Sequence, residues 1–157
     1  MEQDLEYRQK LLQEYRQALT PLLDYLPWLI SKAGQPGSTN YRGEGFTEHS
    51  MSFPVYDSTL VAFVKKAEKS PLMEKNYSYI YTRNRIATHD DERRIIAAAD
   101  LRDWDILRGI LSKYVLGGRV KAALWSQGVQ ENIFALVLER MRKIIEYWDK
   151  PMDGNVR

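Results

Sequence analysis

The 157-residue chain contains no cysteine, and this absence excludes disulfide bonds, thiolate metal sites and cysteine nucleophiles. Histidine is nearly absent too, with two residues in all. No apolar run approaches the ~20 residues that a helix needs to span a bilayer. The amino-terminal stretch MEQDLEYRQK is charged throughout, unlike a secretory signal. We therefore expect a cytoplasmic protein without membrane partners, and the lack of cysteine is consistent with that location.

The chain also has no large excess of one charge, because its formal net charge is only +2. A protein that binds DNA mainly through phosphates is usually more basic, and one that imitates DNA should be clearly acidic. Hydrophobic residues make up 44% and charged residues 28% of the sequence, close to the average for globular domains. Length and composition predict a single domain over residues 1–157.

Helical periodicity begins in residues 2–19, where apolar side chains recur at helical spacing. The pair Thr20-Pro21 predicts the start of a second helix, because threonine caps helices well and proline suits the first turn. Pro27 is expected to kink this second helix or to shift its start. Gly34 is expected to stop it in the left-handed conformation.

Residues 34–50, GQPGSTNYRGEGFTEHS, contain four glycines and a proline and show no apolar face. They predict a long loop between the amino-terminal helical pair and a helical core at 53–149. Loops of this length are either functional or mobile. Both interpretations stay open, and we prefer the flexible one.

Two short segments in the middle of the chain are extended or ambiguous. Residues 51–56 predict an extended or β segment, since Pro54 disfavours helical backbone in the residue before it. For residues 76–82, NYSYIYT, a short strand and a helix both remain open. Between them, Asp57 or Ser58 is a cap candidate ahead of a helix. The apolar face of that helix consists of Leu60, Phe63, Val64 and Ala67.

The carboxy-terminal half has clearer helix signals. Thr88 and Asp91 have the spacing of a capping box, and Asp100 and Asp103 repeat it before the next helix. The glycines at 117–118 are expected to end that helix. The last predicted helix carries one continuous apolar stripe: Val129, Ile133, Leu136, Val137, Met141, Ile144, Ile145 and Trp148. The predicted fold class is all-α or nearly so, with about six helices.

Most candidate functional side chains lie in YIYTRNRIATHDDERRII, residues 79–96. Arginines interleaved with aromatics are typical of a phosphate or single-strand grip. The candidates for anion or partner binding are Arg83, Arg85, His89, Arg93 and Arg94. Arg83 and Arg85 are the more interesting pair, because they precede a helix start that favours anions. The alternative is that the arginines lie on a solvent-exposed face and form ion pairs with Asp90, Asp91 and Glu92. We prefer this alternative for Arg93 and Arg94.

His89 and Glu92 have the i, i+3 spacing of metal ligands on a helix, but the other histidine, His49, lies in the long loop. Acidic residues in a first helical turn are explained more simply by the helix dipole. No serine or carboxylate constellation surrounds either histidine in the sequence. We therefore predict no metal site, no cofactor and no catalytic residue, and an enzyme has no support from motifs.

Four aromatic side chains are candidates for the edge of a groove: Tyr79, Tyr81, Trp104 and Trp125. Tryptophan is large and seldom fully buried. One or two of these rings can therefore pack partly against the core and still line the edge of a groove. The alternative is that the tryptophans anchor the core and that the tyrosines bury their rings.

The segments FPVYDSTLVAFVKKA, YIYTRNRIATHDDERRII, ADLRDWDILRGILSKYVLGG and LWSQGVQENIFALVLERM resemble a family of small helical bacterial proteins, a domain of unknown function. Members are common near phage and conjugative-element genes in gut Gram-positive bacteria. The resemblance covers about two thirds of the chain and omits the amino-terminal helices. It implies a helical fold and a bacterial origin, and it carries over no activity and no site residues.

Three functions follow as hypotheses. The first is a non-enzymatic binding or regulatory protein that acts on a partner protein. Specific versions of this hypothesis are an accessory protein and an anti-defence inhibitor from a mobile element. The second is nucleic-acid binding by a basic face made of Arg83, Arg85, Arg93, Arg94, Arg119 and Lys121. The third is a small enzyme that acts on an anionic metabolite at Arg83, Arg85 and His89. A homodimer is expected if the last apolar helix exceeds what one chain can bury.

Overall fold

The computed structural model describes residues 2–35, 38–41, 53–121 and 123–149. Within these ranges the chain forms eight α-helices, one short 3-10 turn and a two-stranded sheet. The elements are α1 (Glu2–Leu23), α2 (Leu26–Ser31), β1 (Ser38–Tyr41), β2 (Phe53–Tyr56), α3 (Ser58–Glu68), α4 (Tyr77–Arg83), α5 (His89–Ala98), the 3-10 turn Leu101–Asp103, α6 (Trp104–Gly117), α7 (Ala123–Gln130) and α8 (Ile133–Trp148). The predicted fold class is confirmed, although the described residues hold more helices than the six expected.

Helix α1 continues through Thr20, so the helix start predicted there is wrong. The Thr20 hydroxyl donates a hydrogen bond to the Arg16 carbonyl at 2.7 Å, which is the back-bonding geometry of a helix interior rather than of a cap. Pro21 lies inside the last turn of α1. The extra turn is favoured because it buries Leu22 completely, and this tertiary contribution is invisible in local sequence.

The second helix is correspondingly short, because α2 begins with Pro27 in its first turn. A proline there loses no intrahelical hydrogen bond, so the predicted shift of the start is confirmed. Gly34 follows α2 with φ +82°, the left-handed conformation expected from sequence. Its amide donates to the Gln130 carbonyl at 2.9 Å, which ties the end of this segment to α7.

Strand β1 lies within the segment that the sequence predicts as a loop. It pairs antiparallel with β2, with Ser38 opposite Tyr56. The prediction of an unbroken loop over 34–50 is therefore wrong at 38–41, because a distant strand satisfies the backbone groups there. The extended segment at 53–56 is confirmed. The rest of that loop prediction, including His49, lies outside the described residues.

The capping signals at Asp57, Thr88 and Asp100 are confirmed. The Asp57 carboxylate accepts from the Thr59 amide at 2.8 Å at the start of α3. The reciprocal bonds of a capping box join Thr88 with Asp91 at the start of α5, and a second box opens the 3-10 turn at Asp100. The ambiguous segment at 76–82 is helical and belongs to α4.

Helix α4 packs on α6 at a close approach that requires a glycine. A Cβ atom at Gly109 would lie 2.8 Å from Cδ1 and 2.9 Å from Cγ2 of Ile80. These distances are shorter than real Cβ contacts, so a larger residue would force the Ile80 side chain to shift and disturb the contact between α4 and α6. The position of α4 matters because Tyr81, which contacts Glu92 of α5, lies on this helix.

The apolar stripe of the last helix is covered within one chain. Helix α8 contacts α1, α2, α5, α6 and α7. Its buried residues are Ile133, Phe134, Ala135, Val137, Leu138, Met141, Ile144 and Ile145. Val129 belongs to α7 instead, because the backbone turns at Asn132 with φ 64°. Leu19, Leu22 and Leu29 bring the amino-terminal helices into the same core. Of the described helices, none combines the length and apolarity that crossing a membrane requires.

Candidate functional site

The stretch singled out by sequence folds around one buried carboxylate, that of Glu92. We call Tyr81, His89, Glu92, Lys113 and Tyr114 the Glu92 cluster. These residues come from α4, α5 and α6, so the cluster joins three helices. Only 1% of Glu92 is exposed, and glutamate is rarely buried to this extent unless it is paired.

Donors surround the carboxylate of Glu92. The Tyr81 hydroxyl donates to Oε2 at 2.5 Å and the Tyr114 hydroxyl donates to Oε1 at 2.7 Å. The His89 Nδ1 atom lies 2.9 Å from Oε1, and the Lys113 ammonium lies 3.6 Å from Oε2. Two hydroxyls, an imidazole and a cation therefore compensate for the cost of burying this charge.

These contacts assign the protons of the cluster. The Tyr114 hydroxyl lies 3.0 Å from His89 Nδ1 as well as close to Glu92. Because its single proton is donated to the carboxylate, its oxygen can only accept from the imidazole. This hydrogen-bond pattern assigns the donor role to His89 Nδ1.

The cluster changes the acidity of both tyrosines. Burial, followed by the charge of Glu92 and the hydrogen bond to it, raises the pKa of Tyr81 far above its ordinary value. Burial and the hydrogen bond to Glu92 raise the pKa of Tyr114 in the same direction. Both hydroxyls therefore stay protonated as donors. The ammonium of Lys113 also lies 4.6 Å from the centre of the Tyr81 ring, a cation–π contact that adds to the closure of the cluster.

The start of α5 is occupied by its own side chains. The Asp91 carboxylate accepts from the amides of Ala87 and Thr88 at 2.9 and 3.1 Å, and the Thr88 hydroxyl accepts from the Asp91 amide at 3.1 Å. The bonds from Ala87 and Thr88 hold the pKa of Asp91 below its usual range. A carboxylate thus stands at the helix end where the sequence suggests an anion.

Three of the candidate cations on the basic face are paired with carboxylates. Arg93 donates to Asp90 at 2.9 Å and to Glu131 at 2.6 Å, and the bond to Glu131 is the main cause that raises its pKa. Arg94 lies 3.4 Å from Asp91. Arg119 forms an ion pair with Glu68. Arg93 and Arg94 therefore form ion pairs on a helix face in contact with solvent, as the alternative interpretation predicts.

Arg83 and Arg85 are exposed at the end of α4 and just beyond it. Neither guanidinium forms a hydrogen bond or ion pair with another residue in the described part of the chain. Residues two apart on a helix point about 200° apart, so Arg83 lies on the side of α4 away from Tyr81. Arg85 takes a left-handed backbone conformation with φ 54°. The Glu92 cluster therefore contains His89 but neither of these arginines.

The four groove candidates among the aromatics lie in different environments. Trp104 is 2% exposed and stacks on Tyr15 with ring centres 4.1 Å apart, so it belongs to the core and edges no groove. Tyr81 is committed to the Glu92 cluster. Trp125 is half-buried and donates to the Val115 carbonyl at 2.9 Å. Tyr79 is 62% exposed on a different face of α4 from Tyr81.

A concave surface lies elsewhere, between α1 and α3. This groove encloses about 810 Å³, within the range of ligand sites in proteins. We call it the α1–α3 groove, and its lining residues are Glu14, Gln17, Ala18, Pro21, Leu22, Ala62, Lys65, Lys66, Lys69, Ser70 and Pro71. Alanine, proline and leucine side chains form its floor.

The rim of the α1–α3 groove is basic on one side. Lys65, Lys66 and Lys69 are exposed along α3 and its end. None of the three ammonium groups makes an ion pair with a residue in the ranges that the structure describes. Lysine near a helix carboxy-terminus is favoured by the dipole, so its presence there needs no ligand. The preference of lysine for helix ends does not explain why these three lysines lie beside an apolar floor.

Sequence reasoning missed this groove because it depends on two helices about 45 residues apart. One signal was available: Lys65, Lys66 and Lys69 recur at helical spacing on the face of α3 opposite its apolar stripe. On α1, small residues at 18 and 21 replace the long polar side chains usual on an exposed face. Neither signal alone distinguishes a groove from a solvated helix surface.

No group of three or more metal-binding side chains occurs among the residues that the structure describes. Comparisons with family models, with curated proteins and with solved structures give no match to this chain. The resemblance drawn from sequence therefore stays a prediction, and the function has to be argued from the geometry alone.

Proposed function

We propose that this protein is a non-enzymatic binding protein whose α1–α3 groove holds an acidic amphipathic helix of a partner protein. The observation that carries the proposal is the row of three lysines without ion-pair partners beside an apolar floor. The proposal includes a regulatory role, in which binding changes the activity of the protein that carries the helix.

The shape of the groove suits a helix. On α1 the lining positions 14, 17, 18, 21 and 22 lie on one face, and on α3 the positions 62, 65, 66 and 69 do the same. At 1.5 Å per residue the α1 wall is about 12 Å long, which corresponds to about two helical turns. Two helices with a furrow between them offer the seat for a third, as in helix-in-groove recognition.

The floor of the groove supplies apolar contact. Leu22 is fully buried at its base, while Pro21 and Ala62 are exposed along it. A partner helix that presents apolar side chains at i, i+3, i+4 and i+7 would cover the exposed surfaces of Pro21 and Ala62. Each apolar residue that such a helix buries contributes about 1.5–3 kcal/mol before the costs of association.

The charge of the rim selects the partner. Three lysines stand against the single carboxylate of Glu14, so the potential over the groove is positive. Acidic side chains flanking the apolar stripe of a partner helix would meet these lysines, which favours encounter and orientation. The face that was the candidate for nucleic-acid binding has Arg93, Arg94 and Arg119 engaged with carboxylates, so the groove is the better supported surface.

The test is fluorescence anisotropy with a labelled synthetic helix of about three turns, which carries leucines on one face and glutamates on the other. We expect saturable binding that weakens as salt rises, because the rim contacts are exposed charges. A peptide of the same composition in scrambled order should bind more weakly, since its apolar stripe is broken. Equal binding of both peptides would contradict a helix-shaped seat.

Variants locate the binding. Lys65→Glu combined with Lys69→Glu should weaken the peptide about tenfold or more, while Lys143→Glu, exposed on α8 and outside the groove lining, should not. Ala62→Tyr should block the floor without touching the core, and Ala97→Tyr on the exposed face of α5 is its matched control. If the groove variants bind as well as their controls, the α1–α3 groove is not the site.

A further inference from the structure

The two sides of α4 differ in what they contact. Ile80 and Tyr81 face the protein, since Ile80 packs against α6 and Tyr81 donates to the Glu92 cluster. Tyr79 and Arg83 lie one helical turn apart and are both exposed, so they share the outer face. Two further exposed cations lie two residues before the helix and two residues after it. We call the outward residues the α4 patch: Lys75, Tyr79, Arg83 and Arg85.

The three cations of the α4 patch are available to a ligand. None of their side chains forms an ion pair or a hydrogen bond with another residue in the ranges that the structure describes. Residues 75–89 contain no aspartate or glutamate, although the chain has 21 of these acids in all. The patch shares no residue with the lining of the α1–α3 groove, so it stands independently of the function proposed above.

The carboxylates at the two ends of this acid-free stretch have partners outside the patch. Glu74 accepts from the Asn76 amide at 3.0 Å and lies 3.9 Å from the Arg108 guanidinium. Asp90 accepts from Arg93 at 2.9 Å. Neither carboxylate is therefore committed to a cation of the patch. An unpaired arginine presents a planar set of donors that matches the oxygens of a phosphate.

Tyr79 gives the patch an exposed aromatic ring. The residue is 62% exposed, and its ring makes no stacking or cation–π contact with any of the described residues. A tyrosine side chain has few rotatable bonds, so ordering it against a flat ligand costs little entropy. Every nucleic-acid base has a π-face that can stack on such a ring.

We propose that the α4 patch binds single-stranded nucleic acid. One base stacks on Tyr79, and backbone phosphates accept from Lys75, Arg83 and Arg85. A single strand fits because its bases can turn toward a protein ring, whereas the bases of a duplex are stacked on one another. Because the net charge of the chain is only +2, general attraction to a polyanion is small and the local patch supplies the contacts.

Fluorescence anisotropy of the full chain at low salt tests the proposal with three labelled probes: an oligothymidylate of about ten nucleotides, an abasic strand of that length and a duplex of that length. Oligothymidylate should bind with a dissociation constant of about 100 µM or below, and tighter than either other probe. Its affinity should fall as salt rises, because each neutralised phosphate releases counterions. Undetectable binding, or binding no tighter than that of the abasic strand or the duplex, would overturn the proposal.

Two variants separate the ring from the charge. Tyr79→Ala should weaken oligothymidylate to the level of the abasic strand and leave the abasic strand unchanged. Tyr7→Ala is its matched control, since Tyr7 is 68% exposed and lies on α1. Arg83→Glu should weaken both single strands about tenfold and reduce their salt dependence. Lys143→Glu makes the same change of charge on α8 and should weaken both strands far less.

A third variant, Arg85→Gly, separates binding from folding. Arg85 has φ 54°, a conformation that glycine adopts more readily than arginine. The variant should therefore keep or raise the thermal midpoint of unfolding, while both single strands bind about threefold more weakly. If all three patch variants bind the probes like the unaltered chain, any observed binding lies elsewhere and the assignment fails.

Discussion

The Glu92 cluster and the α1–α3 groove place their charged side chains in opposite environments. In the cluster one buried carboxylate is surrounded by two hydroxyls, an imidazole and an ammonium, so the charges satisfy one another inside the protein. In the groove three ammonium groups border an apolar floor and have no ion-pair partner in the described chain. The cluster joins three helices, whereas the groove leaves two helix faces open.

This difference indicates where binding capacity lies. Residues 79–96 are rich in acids, bases and aromatics, and in the sequence they suggest a catalytic or ligand-binding site. In the fold Tyr81, His89, Lys113 and Tyr114 contact the Glu92 carboxylate, so this carboxylate is already satisfied within the protein. Plain lysines, alanines and prolines suggest nothing in sequence, yet they form the surface with unmatched charge and apolar area. The binding surface that we propose is therefore distinguished by unmatched groups rather than by chemically versatile ones.

The largest effect should come from the substitution Glu92→Ala in the cluster. It leaves two buried hydroxyls and a lysine without their acceptor, and breaking a buried charged pair costs about 3–5 kcal/mol. We expect a loss of this size in the free energy of unfolding, measured by urea denaturation. Glu146→Ala on the exposed side of α8 is the control and should stay within about 0.5 kcal/mol. Equal losses in both variants would refute the structural role of the cluster.

Alkaline pH should affect the cluster through Tyr114, which has no exposed surface. Its pKa is raised in the folded state, so its contribution to stability is complete below the unfolded value near 10 and is lost as pH rises beyond it. Between pH 10 and 11 the stability that Tyr114 contributes should fall by about 1 kcal/mol. Urea denaturation across this range measures the change.

Tyr114→Phe should reduce that alkaline decline, because phenylalanine does not ionise. Tyr79→Phe is the matched control, since Tyr79 is 62% exposed and is outside the cluster. We expect the control to decline like the unaltered chain. Parallel curves for Tyr114→Phe and the unaltered chain would mean that the hydroxyl is not held as a donor to Glu92.

Sequence predicted the parts of this fold that depend on residues three or four apart. Both capping boxes, the cap at Asp57 and the left-handed Gly34 were found because each is a local interaction. The start predicted at Thr20 was wrong because burial of Leu22 outweighs a good local cap. Strand β1 was missed because its partner lies about fifteen residues away, across a glycine-rich segment.

The candidate site shows the same limit more sharply. Glu92 reads as an ordinary acid in a first helical turn, because its partners Tyr81 and Tyr114 lie 11 and 22 residues away. The packing of α4, α5 and α6 brings these three residues together. From sequence, Lys65 and Lys69 likewise suggest only a solvent-exposed helix face. In the fold, α1 lies beside them and completes the groove. Sequence supplies the side chains of a site, but contacts between distant segments decide which of them are satisfied and which stay available.

The smallest expected effect is a gain of binding in the groove by the substitution Glu14→Lys. Glu14 is the one carboxylate in the lining and opposes the attraction of an acidic helix, so its reversal should tighten the acidic peptide about two- to fivefold at low salt. Glu146→Lys alters the net charge equally but lies on α8, so it controls for general attraction. The free energy of unfolding should change by no more than about 0.5 kcal/mol in either variant. If both variants tighten the peptide alike, the attraction belongs to the whole protein. A gain confined to Glu14→Lys would show that unmatched charge at the groove, and not the overall charge of the chain, governs binding.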